Sequence, residues 1–110
     1  MKYTEIAEKY FNLFSNKDIQ NLKLLFAENI SLRDWQISEK GIQNVINANN
    51  NIFESCTSIK VNVLKIYEIQ KFIVAELEII IDQNIVLLVV DLIEFDEMDR
   101  ICSIRAYKGN

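Results

Sequence analysis

Three residues of this chain have both the type and the placement to do chemistry: Tyr10, Asp34 and Asp91. Asp91 interrupts the run "IVLLVVDLIEF", residues 85 to 95, where every near neighbour belongs in a core. An unpaired carboxylate in such a place costs several kcal/mol, or neutralises itself by taking a proton. A neutral acid held there can donate a hydrogen bond. The structural alternative is an ion pair with Lys or Arg. Tyr10 falls on the apolar stripe of the first helical segment, where a tyrosine normally packs in the core with its hydroxyl reaching a partner. Asp34 closes the strand-like segment "ISLRDW" beside Trp35, and could equally cap a turn. Asn49, in "NANNN", interrupts the stripe of the third helical segment, either at its rim or as a polar group facing a pocket.

The rest of the composition excludes many other chemistries. There is no histidine, which removes histidine-based nucleophile systems and histidine zinc sites. The two cysteines, Cys56 and Cys102, read as reduced thiols rather than a metal site, and no metal or cofactor is expected. Two glycines cannot form a glycine-rich phosphate loop. The net charge of −4, with basic residues scattered along the chain, argues against nucleic acid and against an anionic membrane surface. The start "MKYTEIAEKYF" lacks the apolar core of a secretory signal. The longest apolar run, Ile85 to Val90, is far short of the roughly 20 residues that span a bilayer. The expectation is a cytoplasmic protein with one domain over residues 1–110, half of it hydrophobic and able to bury a core.

The elements that must position the three residues follow from periodicity. Ile6, Tyr10, Leu13 and Phe14, widened by Ala7 and Phe11, predict a helix over 3–16. "SNKD" breaks it. Ile19, Leu22, Leu25 and Phe26 predict a second helix over 18–27. "ISLRDW", 30–35, reads as a short strand and "QISEK" as a loop. Residues 41–54 form a third helix, with Ile42, Val45, Ile46, Asn49, Ile52 and Phe53 on one face. From residue 57 onward the chain alternates as strands: "SIKVNVLKIYEI", "KFIVAELEIIID", "IVLLVVDLIEF" and "RICSIRAYKG", joined by tight turns at "QN" and "DEMD".

Helices first and strands later is the α+β pattern. On the strand carrying Asp91 both the odd and the even positions are apolar, unlike a half-solvated antiparallel strand. The helices can cover one face of the sheet. A second copy of the chain is the simplest cover for the other, so a homodimer through the outer sheet face is expected.

The element order, the Asp ending the first strand and the string "VVDLIEFDEMDRICSIRAYKG" resemble the nuclear transport factor 2-like superfamily. Within it, the chain looks like the ketosteroid isomerase and SnoaL-like polyketide cyclase branch. The resemblance covers nearly the whole chain. It implies a cone: a strongly curved, mixed, largely antiparallel sheet with three N-terminal helices enclosing a pocket. It also implies roles. Tyr10 and a protonated Asp91 would donate to a substrate carbonyl oxygen, and Asp34 would carry the proton. Phe14, Phe26, Trp35, Asn49, Phe53, Val89 and Ile104 would line the pocket. This sequence has Trp35 where a proline usually follows the base, Asn49 and Phe26 where network tyrosines can stand, and Lys108 where an indole can sit.

Proton transfer beside the carbonyl of a small apolar ketone is the activity this implies. The alternative is a non-catalytic dimeric module that binds a small apolar ligand or a partner domain. Superfamily dehydratases rely on histidine, absent here. Epoxide hydrolysis would need an Arg between two Asp groups, a place open only to Arg105 if its strand register allows.

Overall fold

The computed structural model describes residues 1–110. The order is α1 (Lys2–Ser15), α2 (Ile19–Leu25), β1 (Phe26–Arg33), β2 (Ser38–Lys40), α3 (Ile42–Glu54), β3 (Ile59–Ile69), β4 (Phe72–Ile81), β5 (Ile85–Phe95) and β6 (Ile101–Lys108). The strands form one open, mixed sheet in the order β2-β1-β6-β5-β4-β3. The last four strands are an antiparallel meander, and β1 joins the side of β6 in parallel. This is an α+β fold with three helices on one face of the sheet.

Each helix buries the stripe its spacing assigns. Ala7, Tyr10 and Phe11 of α1 are buried, as are Val45, Ile46, Asn49 and Phe53 of α3. Asp18 caps α2 by accepting the Asn21 N–H at 3.2 Å. Gly41, with φ +91°, sits at the N-cap of α3 in a conformation that strains any residue with a Cβ. Its N–H donates to the Ile30 carbonyl at 2.7 Å, tying the helix start to β1. The sheet's pairing shifts register between Phe26 and Ser31, between Val63 and Lys65, and between Glu94 and Phe95. Such irregularities bend a sheet and raise its twist.

Four expectations change. The first strand runs Phe26–Arg33 rather than 30–35, so Asp34 and Trp35 lie in the turn beyond it. The second helix stops at Leu25, because Phe26 is extended (φ −92°, ψ 140°) and pairs with Ile101. Strand pairing overrides the helical period at that point. "QISEK" is not all loop: Ser38–Lys40 form a fully exposed edge strand on β1, through backbone bonds that its polar side chains do not oppose. The β4–β5 turn is the three-residue Asp82–Gln83–Asn84 rather than "QN" alone. Asp82 and Gln83 both adopt positive φ there. The Asp82 carboxylate accepts the N–H groups of Thr57 and Ser58, which pins the turn to the α3–β3 connection.

Alternation along β5 sorts its two faces. Val89, Asp91, Ile93 and Phe95 are buried under the helices. Val86, Leu88 and Val90 face outward and are exposed, together with Tyr67 of β3 and Tyr107 of β6. No helix of the chain is long and apolar enough to cross a membrane.

Candidate functional site

Asp91 sits at the centre of β5, paired with Ala75 on β4 and Ala106 on β6. Ala106 lines the cavity beside it, leaving room that a larger side chain would fill. Asp91 is 7 % exposed and has no hydrogen-bond or ion-pair partner in the protein. Its carboxyl pKa is pushed up to about 7, first by burial and then by the charge of Asp34.

Tyr10 approaches from the roof. Its ring is 5 % exposed and is held by Phe11, Phe14 and Phe26, with centroids at 5.4, 6.0 and 6.1 Å. The hydroxyl bonds to no protein group. Burial pushes its pKa well above the usual phenol value, reinforced by the charges of Asp91 and Asp34. It therefore stays protonated and able to donate.

Asp34 is the first residue beyond β1. Its Oδ1 accepts the Gln36 and Ile37 N–H groups at 2.7 and 2.6 Å, and its own N–H donates to the Ile37 carbonyl at 2.8 Å. It thus builds the β1–β2 turn with one carboxylate oxygen. Oδ2 has no partner in the protein.

The three groups line one cavity of about 370 Å³, in which 16 of 22 lining residues are hydrophobic. Phe14, Trp35, Asn49, Val89 and Ile104 also line it. Phe26 and Phe53 do not, contrary to expectation. Phe26 is fully buried behind Tyr10, and Phe53 packs edge-on against Phe14 at 4.8 Å, so both support the wall from behind. The exposed members of the lining, Trp35, Gln36, Ser55 and Lys108, mark the mouth. There the Lys108 ammonium lies 5.7 Å from the Trp35 ring centroid, within cation–π range. Sequence reasoning misses much of the lining, Leu77, Ile79 and Ala106 among it, although alternation on β4 and β6 places these on the inward face.

Arg105 takes no part. It is paired with Leu92 in an outward row, donates to Ser103 Oγ at 3.0 Å and approaches Glu94 at 3.9 Å. An Arg bridging two Asp groups, as epoxide hydrolysis would require, is therefore not built from Arg105. No group of three or more Cys, Asp or Glu side chains is placed to hold a metal ion.

No protein-family model matches the sequence, and neither does any curated protein. Solved structures do match. A SnoaL-like family protein from Agrobacterium tumefaciens, proposed to be an isomerase, superposes with a TM-score of 0.87 at 14% identity, covering 100% of both chains. A protein from Kribbella flavida proposed to be a ketosteroid isomerase gives 0.86 at 14% identity, over 98% of this chain and 78% of the other. An LEH-like epoxide hydrolase from M. tuberculosis gives 0.84 at 14% identity, over 97% and 82%. At these identities the likeness is one of architecture: this chain has the fold of nuclear transport factor 2-like proteins.

Proposed function

We propose that this chain, built on the fold those structures share, uses its cavity for proton transfer next to the carbonyl of a small, mostly apolar ketone. The observation that carries this reading is that Tyr10, Asp34 and Asp91 open onto one cavity. Asp34 Oδ2 takes a proton from the carbon beside the carbonyl. The C–H electron pair becomes the enolate double bond, and the carbonyl pair moves onto oxygen. The Tyr10 hydroxyl and the protonated Asp91 carboxyl donate to that oxygen, in apolar surroundings where such bonds strengthen. Asp34 then returns the proton two carbons further along, and a β,γ-unsaturated ketone becomes its conjugated isomer. Incubating the purified protein with cyclohex-3-enone and following the conjugated enone by ultraviolet absorbance tests this. Turnover abolished by Asp34→Asn supports it, and no turnover above buffer rejects it.

One observation favours a second reading, a binder without catalysis: Asp34 Oδ1 is already committed to two backbone N–H groups. A binder would hold ketones equally well before and after the Asp34→Asn substitution, and neither protein would turn them over. The same assay, paired with a binding measurement, separates the two.

We further propose that two copies associate through the outer sheet face, where Val86, Leu88 and Val90 are 43, 44 and 37 % exposed in one row of β5. The free Cys56 and Cys102 thiols suit a reducing compartment such as the cytoplasm.

A further inference from the structure

Asn49 Nδ2 is a side-chain donor shut away from bulk water with no hydrogen-bond partner. The residue is 2 % exposed and lines the cavity. Its Oδ1 bonds to no protein group either. Asparagine is a poor helix former, and here it occupies the inward stripe of α3 between Val45, Ile46 and Phe53. Leucine would pack there without an unpaired amide, and leaving a buried donor unpaired carries a penalty of roughly 1–3 kcal/mol. Nothing in the packing offsets that. A half-turn of the carboxamide, exchanging Nδ2 for the equally unpaired Oδ1, brings the donor within reach of an oxygen-bearing group inside the cavity.

We infer that Asn49 determines specificity by hydrogen-bonding a second oxygen function of the ligand, a hydroxyl or carbonyl distinct from the one between Tyr10 and Asp91. This rests on the proton-transfer reading above and narrows it: the substrate class becomes hydroxy-ketones or diketones rather than ketones with a single oxygen. The carboxamide suits either function, since a half-turn about its Cβ–Cγ bond exchanges donor for acceptor. Sites built to bond a substrate hydroxyl discriminate strongly against analogues that lack it, because the site's own polar group is then left unpaired.

Phenols serve as probes, their hydroxyl standing for the enolate oxygen. The affinity of 2-naphthol is compared by calorimetry with that of a set of dihydroxynaphthalenes differing in the position of the second hydroxyl. For the native protein, at least one dihydroxy isomer is expected to bind about tenfold or more tightly than 2-naphthol. Asn49→Leu is expected to abolish that preference, so that the affinity of the favoured dihydroxy isomer relative to 2-naphthol falls to about one. Asn49→Ala, which removes the amide without adding bulk, gives the same readout where the leucine variant folds poorly. If 2-naphthol binds but no isomer gains, or the gain survives both substitutions, the role given to Asn49 is wrong and the proton-transfer reading stands. If no phenol binds the native protein, the oxygen-holding site falls, and this inference with it.

Discussion

Asp34 and Asp91 stand on either side of Ala106. Asp91 is paired with Ala106 across β5 and β6, and Asp34 lies one residue beyond the Arg33–Arg105 pair, at the level of the same alanine. The two acids meet different surroundings. Asp91 is buried among aliphatic side chains and has no partner, whereas Asp34 is fixed by backbone N–H groups. A buried, unpartnered acid and a second carboxylate fixed by the backbone can divide the work of donor and base.

The first consequence concerns stability. The folded protein holds the Asp91 proton up to about pH 7, while the unfolded chain releases it near pH 4. Between those values the folded state binds more protons, so Asp91 makes stability fall as pH rises. The full effect, reached above pH 7, is at most about 4 kcal/mol. Asp91→Asn should raise the melting temperature at pH 8, with the advantage over the native protein shrinking by pH 4. Melts followed by circular dichroism across that range check it.

The same proton sets the pH dependence of turnover. Asp91 donates only while protonated, so kcat/KM should decline as pH rises through about 7. Asn donates at every pH. In Asp91→Asn that decline should vanish, even though the rate at low pH is reduced. A decline that persists unchanged in the variant would assign it to another group.

Tyr10→Phe removes a donor that has no protein partner. The fold should therefore lose little, with the melting temperature nearly unchanged. The rate should drop roughly 10²- to 10³-fold, the usual loss for one oxyanion donor. Steady-state kinetics beside a thermal melt separate this from a packing defect, which would lower both.

The outer sheet face makes a prediction of its own. A lysine at Leu88 or Val90, both exposed in the middle of β5, places charge in the apolar patch without touching the cavity. Sedimentation velocity should show a dimer for the native chain and a monomer for Leu88→Lys. A native monomer at micromolar concentration would remove the dimer proposal.

Much of this arrangement is legible in the residues. Period-3.6 stripes locate α1 and α3, and alternation locates the meander, because each element buries one face. The polar interruptions at Tyr10, Asn49 and Asp91 stand out for the same reason, and all three open onto the cavity. What the residues hide depends on partners distant in sequence. Phe26 fits a helical stripe, yet pairs with Ile101 at the far end of the chain. Ser38–Lys40 show no apolar alternation, because an exposed edge strand is held by backbone bonds alone. The stripes bring Phe26 and Phe53 toward the pocket, but a stripe does not distinguish the layer touching the cavity from the layer behind it. Ala106 carries no chemistry, so its contribution, the space beside Asp91, emerges only when the strands are paired.

Everything proposed for the cavity depends on Asp91 being a neutral carboxylic acid as pH approaches 7. Carbon-13 NMR of protein labelled at the aspartate carboxyl carbons measures this directly, with Asp91→Asn identifying the resonance. A titration midpoint near pH 7 is expected. A midpoint near pH 4, the ordinary value for an exposed aspartate, would contradict it.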